Sequence, residues 1–171
     1  MRMRCILQCM ATQKALFAAG CFWGVQFYFD QVPGVISTIT GYTGGHTKNP
    51  TYDEVCTHLT GHAEALLIEF DPDRLAYETL VRQFFYMHDP TQIDRQGPDI
   101  GDSYRSALFY FDDSQRRIAS KVLQQVQVSL KKPVATQVEP AGIFYKAEAY
   151  HQKFTERTGM GMCHKPYKDM R

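Results

Sequence analysis

The chain has 171 residues, 44% hydrophobic and 13% aromatic, which suits one domain with a sizeable core. Its formal charge of +1, with acids and bases interspersed, removes the electrostatic case for nucleic acid or an anionic membrane. No apolar run approaches the ~20 residues of a membrane span, and "MRMRCILQCMATQK" has neither the apolar run nor the small-residue site of a signal peptide.

"QKALFAAG" (13–20) predicts a short buried strand ending in glycine, and "CFWGVQFYFDQ" (21–31) a helix, because Phe22, Val25 and Phe29 recur at helical spacing. "GVISTITGY" (34–42), rich in β-branched residues, predicts a strand, and "GYTGGHTKNPTYDE" (41–54) a loop dense in turn formers. "AEALLIEF" (63–70) predicts a strand and "DRLAYETLVRQFFYMHD" (73–89) an amphipathic helix. A long loop, "PTQIDRQGPDIGDS" (90–103), leads to a strand over 104–111 and a helix over 113–130. "PVATQVEP" (133–140) suits an edge strand, since its prolines are terminal. A short helix over 146–157 and an irregular glycine-rich tail complete the chain. Strands alternating with helices imply one sheet covered by helices, an α/β or α+β sandwich. The expected divisions are an N-terminal extension (1–12), a catalytic domain (13–157) and a C-terminal tail (158–171).

The five cysteines, Cys5, Cys9, Cys21, Cys56 and Cys163, are odd in number and widely spaced, which points to a reducing, cytoplasmic setting and to reactive rather than structural thiols. Cys21 lies where a strand runs through Gly20 into a helix. Unpaired N–H groups there would lower its pKa and favour the nucleophilic thiolate; alternatively, it is a small buried hydrophobe. Phe22 and Trp23 are either core residues or the walls of an apolar pocket sized for a methyl group. Tyr42, among glycines, has a phenol that can project without being packed over. Glu64 enters an apolar strand, where desolvation would keep it protonated as a general acid; its other reading is a strand-end charge with an ion-pair partner. Cys56, His58, His62 and Glu64 are all metal-ligand types, but they lack a paired Cys-x-x-Cys, and Gly61 interrupts any helix that would align the histidines. No metal or other cofactor is expected.

"GCFWG", "GYTGG", "NPTYDEVC", "TGHAEALLIEFDP", "HDPTQIDRQGPDIGDSYRS" and "EAYHQKF" follow one another in an order and spacing that resembles the peptide methionine sulfoxide reductases of type A, over roughly residues 14–155. The resemblance implies an α+β fold, a two-layer sandwich with a ferredoxin-like core. It also implies reduction of the S epimer of methionine sulfoxide, free or in oxidised proteins, with thioredoxin as reductant and the enzyme a monomer. Carried over by position, Cys21 is the nucleophile, and Phe22 and Trp23 hold the substrate methyl. Tyr42 and Tyr104 donate to the sulfoxide oxygen, Glu64 protonates it, and Asp99 helps position the substrate. Cys21 would pass through a sulfenic acid. Cys163, in a tail loosened by Gly159 and Gly161, would resolve it to a disulfide. No cysteine follows Cys163 up to Arg171, so no third cysteine is expected in the relay. Cys5 and Cys9 read as incidental and Cys56 as packing. The alternatives are another thiol-based peroxide or disulfide oxidoreductase, and a module that binds oxidised methionine without turnover.

Overall fold

The computed structural model describes residues 11–167; Cys5, Cys9 and most of the expected N-terminal extension lie outside the described residues. Strands β1 (Gln13–Ala19), β2 (Val35–Thr43) and β3 (Ala63–Phe70) follow the apolar runs closely. Helix α1 (Phe22–Phe29) joins β1 to β2. Helix α3 (Tyr77–Met87) leads from β3 to β6 (Ser106–Tyr110), and α4 (Asp113–Ser129) leads on to β7 (Gln137–Pro140). A two-residue strand, β8 (Tyr145–Lys146), completes a six-stranded sheet in the order β7-β6-β1-β3-β2-β8.

The central four strands, in the order β6-β1-β3-β2 and mutually antiparallel, carry α1 and α3 as split crossovers. This is the ferredoxin-like arrangement, and the fold is α+β. Alternation along β1 sorts the core. Ala15, Phe17 and Ala19 face the helices, together with Leu66, Ile68, Val25, Phe29, Leu80 and Phe84. Leu16 and Ala18 face the other side, with Ala65 and Phe109, under a cover that includes Phe144. Helix α1 is buried almost all round, and its one long polar side chain, Gln26, donates to Thr38 and accepts from the Lys153 N–H.

The differences from expectation lie in the connections. The glycine-rich loop contains a five-residue helix, α2 (Tyr52–Cys56), set by a capping box: the Thr51 side chain accepts from Glu54 N, and Glu54 accepts from Thr51 N. The long loop holds a ribbon of β4 (Arg95–Gln96) and β5 (Asp99–Ile100), then a 3-10 turn over Asp102–Tyr104. The helix expected over 146–157 is broken into a 3-10 turn (Ala149–His151) and α5 (Phe154–Thr158), because Lys153 between them is left-handed at φ 54°. The tail after α5 is irregular, with Gly159 and Gly161 both at positive φ. No helix among the described residues is long and apolar enough to cross a membrane.

Candidate active site

β1 ends where α1 begins, and β3 runs antiparallel beside it with Leu66 opposite Phe17. The start of β3 therefore lies under the first turn of α1. Cys21 is the N-cap of α1, and Glu64 sits beneath it, only 2% exposed, accepting a 3.0 Å hydrogen bond from the backbone N–H of Phe22. Desolvation by burial pushes the Glu64 carboxyl up to about 8, partly opposed by the Phe22 N–H and reinforced by the nearby charge of Asp99. With that value the carboxyl keeps its proton at neutral pH.

The thiol behaves otherwise than its position suggests. Burial pushes the Cys21 pKa up strongly, and the charges of Glu64 and Asp99 add to this, while the backbone N–H of Trp23 opposes it. The Phe22 N–H is given to Glu64 and not to sulfur. The expected lowering at the helix N-terminus is thus overridden, and the resting site holds a neutral thiol above a neutral acid.

Tyr42 also departs from expectation. It lies directly opposite Glu64 in the β2–β3 ladder, but its ring is fully buried and its hydroxyl donates at 2.7 Å to the Glu148 carboxylate. The Tyr42 phenol does not project from the glycine loop. The tyrosine that borders the site is Tyr52, at the first position of α2. It is half-buried, its hydroxyl donates to the sulfur of the exposed Cys56, and it faces Glu64 and Tyr104. A thiol is a weak acceptor, so this bond exchanges readily for a stronger one, unlike the charge-assisted bond that holds Tyr42. Cys56 is therefore exposed and engaged with Tyr52, not packed. Tyr104 faces Glu64, Cys56, Asp99 and Cys21. The pKa values of both phenols are raised, chiefly by desolvation and then by the Glu64 charge, so both remain donors.

Phe22 lies wholly buried against Tyr42 and His151, and Trp23 stacks on Phe154 with ring centroids 3.8 Å apart. The Trp23 indole N–H donates to His151 Nδ1 at 2.9 Å, which turns its polar edge inward and leaves an apolar wall beside the thiol. Asp99, on β5, has a carboxyl raised by burial and one buried oxygen without a partner. Cys163 is an exposed free thiol near enough for its charge to act on Cys21. His58 and His62 have separate partners, Asp102 for one and Gly45 with Thr47 for the other.

Glu148, His151 and Tyr52 are the residues sequence reasoning passed over, although all three lie in motifs that it singled out. The capping box is the signal that could have found Tyr52, since it sets that residue at the start of a helix and not in a loop.

A free thiol, a neutral acid, two phenols and an apolar wall beside one another suit a thiol-dependent enzyme acting on a small group with one polar and one apolar side. The family model described as peptide methionine sulfoxide reductase matches residues 13–171. A peptide methionine sulfoxide reductase MsrA of Methanothermobacter thermautotrophicus is 49% identical over 154 residues, which are 89% of this chain and 91% of that relative. The structure of Saccharomyces cerevisiae Mxr1 in reduced form matches with a TM-score of 0.86 and 30% identity, covering 92% of this chain and 93% of that one. The same yeast protein in complex with Trx2 shares the fold at a TM-score of 0.63 and 23% identity, over 92% and 91% of the two chains. The chain belongs to the peptide methionine sulfoxide reductase family.

Proposed function

We propose that this chain reduces the S epimer of methionine sulfoxide, free or protein-bound, with Cys21 as nucleophile and Glu64 as acid. The observation that carries the reading is the buried, protonated Glu64 lying beneath the thiol and tied to the Phe22 N–H. A sulfoxide has a weakly electrophilic sulfur and a poor leaving oxygen, so its oxygen must be protonated or strongly hydrogen-bonded before a thiol can attack. Glu64 supplies the proton, and Tyr52 and Tyr104 donate to the same oxygen. Tyr52 takes the role the family resemblance had given to Tyr42. Trp23, over the buried ring of Phe22, receives the methyl group, and Asp99 borders the substrate. Fixing the methyl, the oxygen and the attack direction together selects one epimer.

The balance of the first step is Cys21–SH plus sulfoxide giving Cys21–SOH plus methionine; the substrate sulfur gains the two electrons that Cys21 loses. Cys163–SH then attacks the sulfenic sulfur, forming the Cys21–Cys163 disulfide and releasing water. Thioredoxin, through its own thiol pair, reopens the disulfide. A cycle run on free thiols supports a cytoplasmic setting.

The test is incubation with each epimer of a methyl sulfoxide substrate and dithiothreitol, measuring methionine. Methionine from the S epimer alone, lost in Cys21→Ser, is expected. A bound sulfoxide with no methionine formed would establish a binding module instead, and faster turnover of hydrogen peroxide would establish a peroxidase.

A further inference from the structure

The residue after Cys163 has a seat of its own. His164 folds back onto the start of α1, with Nε2 2.7 Å from the carbonyl oxygen of Ala19. A carbonyl only accepts, so Nε2 carries the proton and Nδ1 is a bare lone pair. Nδ1 is buried and has no partner. Burial also lowers the pKa of the ring, which keeps it neutral.

The seat is opened by Gly24. A Cβ at Gly24 would overlap His164 Nδ1 and lie 2.8 Å from the Gly161 carbonyl oxygen. A Cβ at Gly20 would meet Gln96 first, at 2.6 Å, and His164 Nε2 only at an ordinary 3.5 Å. The second glycine of "GCFWG" thus leaves room for an imidazole from the tail. Apolar packing does not fill this region, because a cavity of about 270 Å³ remains between α1 and the tail, lined by Phe27, Tyr28, Met162 and Pro166 among others. Further on, Lys165 N–H reaches the Met87 carbonyl and Tyr167 packs edge-on to Tyr28. Those contacts tie down the tail beyond His164, and His164 itself fixes the residue next to Cys163.

We infer that His164 is a positioning residue for disulfide formation: its imidazole, seated against Ala19 and Gly24, holds Cys163 within reach of Cys21. The inference rests on the reading of Cys163 as the thiol that attacks the Cys21 sulfenic acid. In that step the Cys163 S–H bond and the Cys21 S–OH bond break, an S–S bond forms, and water leaves. His164 takes no part in the electron balance; it shortens the search of the Cys163 thiol for its target.

The full-length protein is mixed with one equivalent of a methionine-S-sulfoxide substrate without reductant. Methionine release and loss of free thiol are followed separately, with alkylation and mass spectrometry fixing the disulfide. In His164→Ala, methionine release is expected at the wild-type rate, and formation of the Cys21–Cys163 bond slower by roughly tenfold, the effect of one net hydrogen bond. His164→Gln, whose amide N–H can reach the same carbonyl, is expected within about threefold of wild type. Three results would overturn the inference: a wild-type disulfide rate in His164→Ala, a His164→Gln as slow as His164→Ala, or methionine release slowed by the same factor as disulfide formation. Cys163→Ser tests the underlying reading by itself. If that variant still forms an internal disulfide and is recycled by thioredoxin, Cys163 is not the resolving thiol, whatever His164 does.

Discussion

Glu64 and Glu148 are carboxylates on either side of Tyr42, and they are held in opposite states. Tyr42 sits opposite Glu64 in the ladder and donates its hydroxyl to Glu148. Glu64 is buried with one backbone N–H for company, and desolvation pushes it up to about 8. Desolvation acts on Glu148 too, but its carboxylate accepts from the Tyr52 N–H at 2.8 Å and from Tyr42 at 2.7 Å, has His151 Nε2 at 3.9 Å, and ends below the usual range. Burial and hydrogen-bond donors act together: Glu64 is 2% exposed, whereas a third of the Glu148 side chain is solvated. The deeply buried glutamate with one donor is kept as an acid, while its more exposed neighbour with two is an ionised strut beneath Tyr42 and Tyr52.

Removing the proton from Glu64 should have the largest effect. Glu64→Gln keeps the Phe22 contact and the shape, and should slow methionine release in a single turnover on the order of 10²–10⁴-fold, measured by rapid quench. Removing the phenols comes next. Tyr52→Phe and Tyr104→Phe should each cost about tenfold and together on the order of 10³-fold, because either one can still hold the oxygen; strictly additive losses would show that they do not share it. A pH profile sharpens the contrast further. The advantage of wild type over Glu64→Gln in single-turnover rate should shrink about tenfold per pH unit above the Glu64 value of about 8.

Stability should move the other way. Native Glu64 is neutral at pH 7 and ionised in the unfolded chain, so unfolding releases a proton, and its contribution declines as pH rises from the ordinary carboxylate range to about 8. Glu64→Gln should then raise the melting temperature at pH 7 by about 5 °C. Glu148→Gln should lower it by about 3 °C, a small change because a third of that side chain is solvated and screened. Calorimetry showing the same sign for both would break the comparison. The smallest effect belongs to Tyr42→Phe, which should leave methionine release within about threefold of wild type, since its hydroxyl serves Glu148 and not the substrate.

Strands β1, β2, β3 and β6 were legible because each is an apolar or β-branched run, and β3 was read to its boundary, with Glu64 on its helix-facing side; the two-residue strands β4, β5 and β8 were not. The position of Cys21 at the start of a helix was equally legible from the glycine before it. Its ionisation was not, because that depends first on burial by the folded chain and then on Glu64 and Asp99, which approach from 43 and 78 residues away. Tyr42 was misplaced for the same reason: a glycine-rich neighbourhood suggests exposure, and only Glu148, 106 residues later, turns the ring inward. Tyr52 is the instructive case. Its helix has five residues, too short for periodicity to reveal, yet the Thr51–Glu54 cap that creates it was present in the motif. The broken helix around Lys153 has its cause in Gln152, whose carboxamide bonds both the N–H and the carbonyl of Thr40 on β2.

Trp23 is the one tryptophan in the sequence, and it forms the apolar wall beside the thiol. Its indole is stacked on Phe154 and bonded to an imidazole, and Gly161 of the tail lies so close that an added Cβ would sit 3.1 Å from the indole ring. Every photon the protein emits from tryptophan therefore originates two residues from Cys21. Intrinsic fluorescence excited near the indole absorption edge becomes a label-free, real-time record of substrate arrival, of oxidation at the neighbouring sulfur, and of the tail settling or lifting.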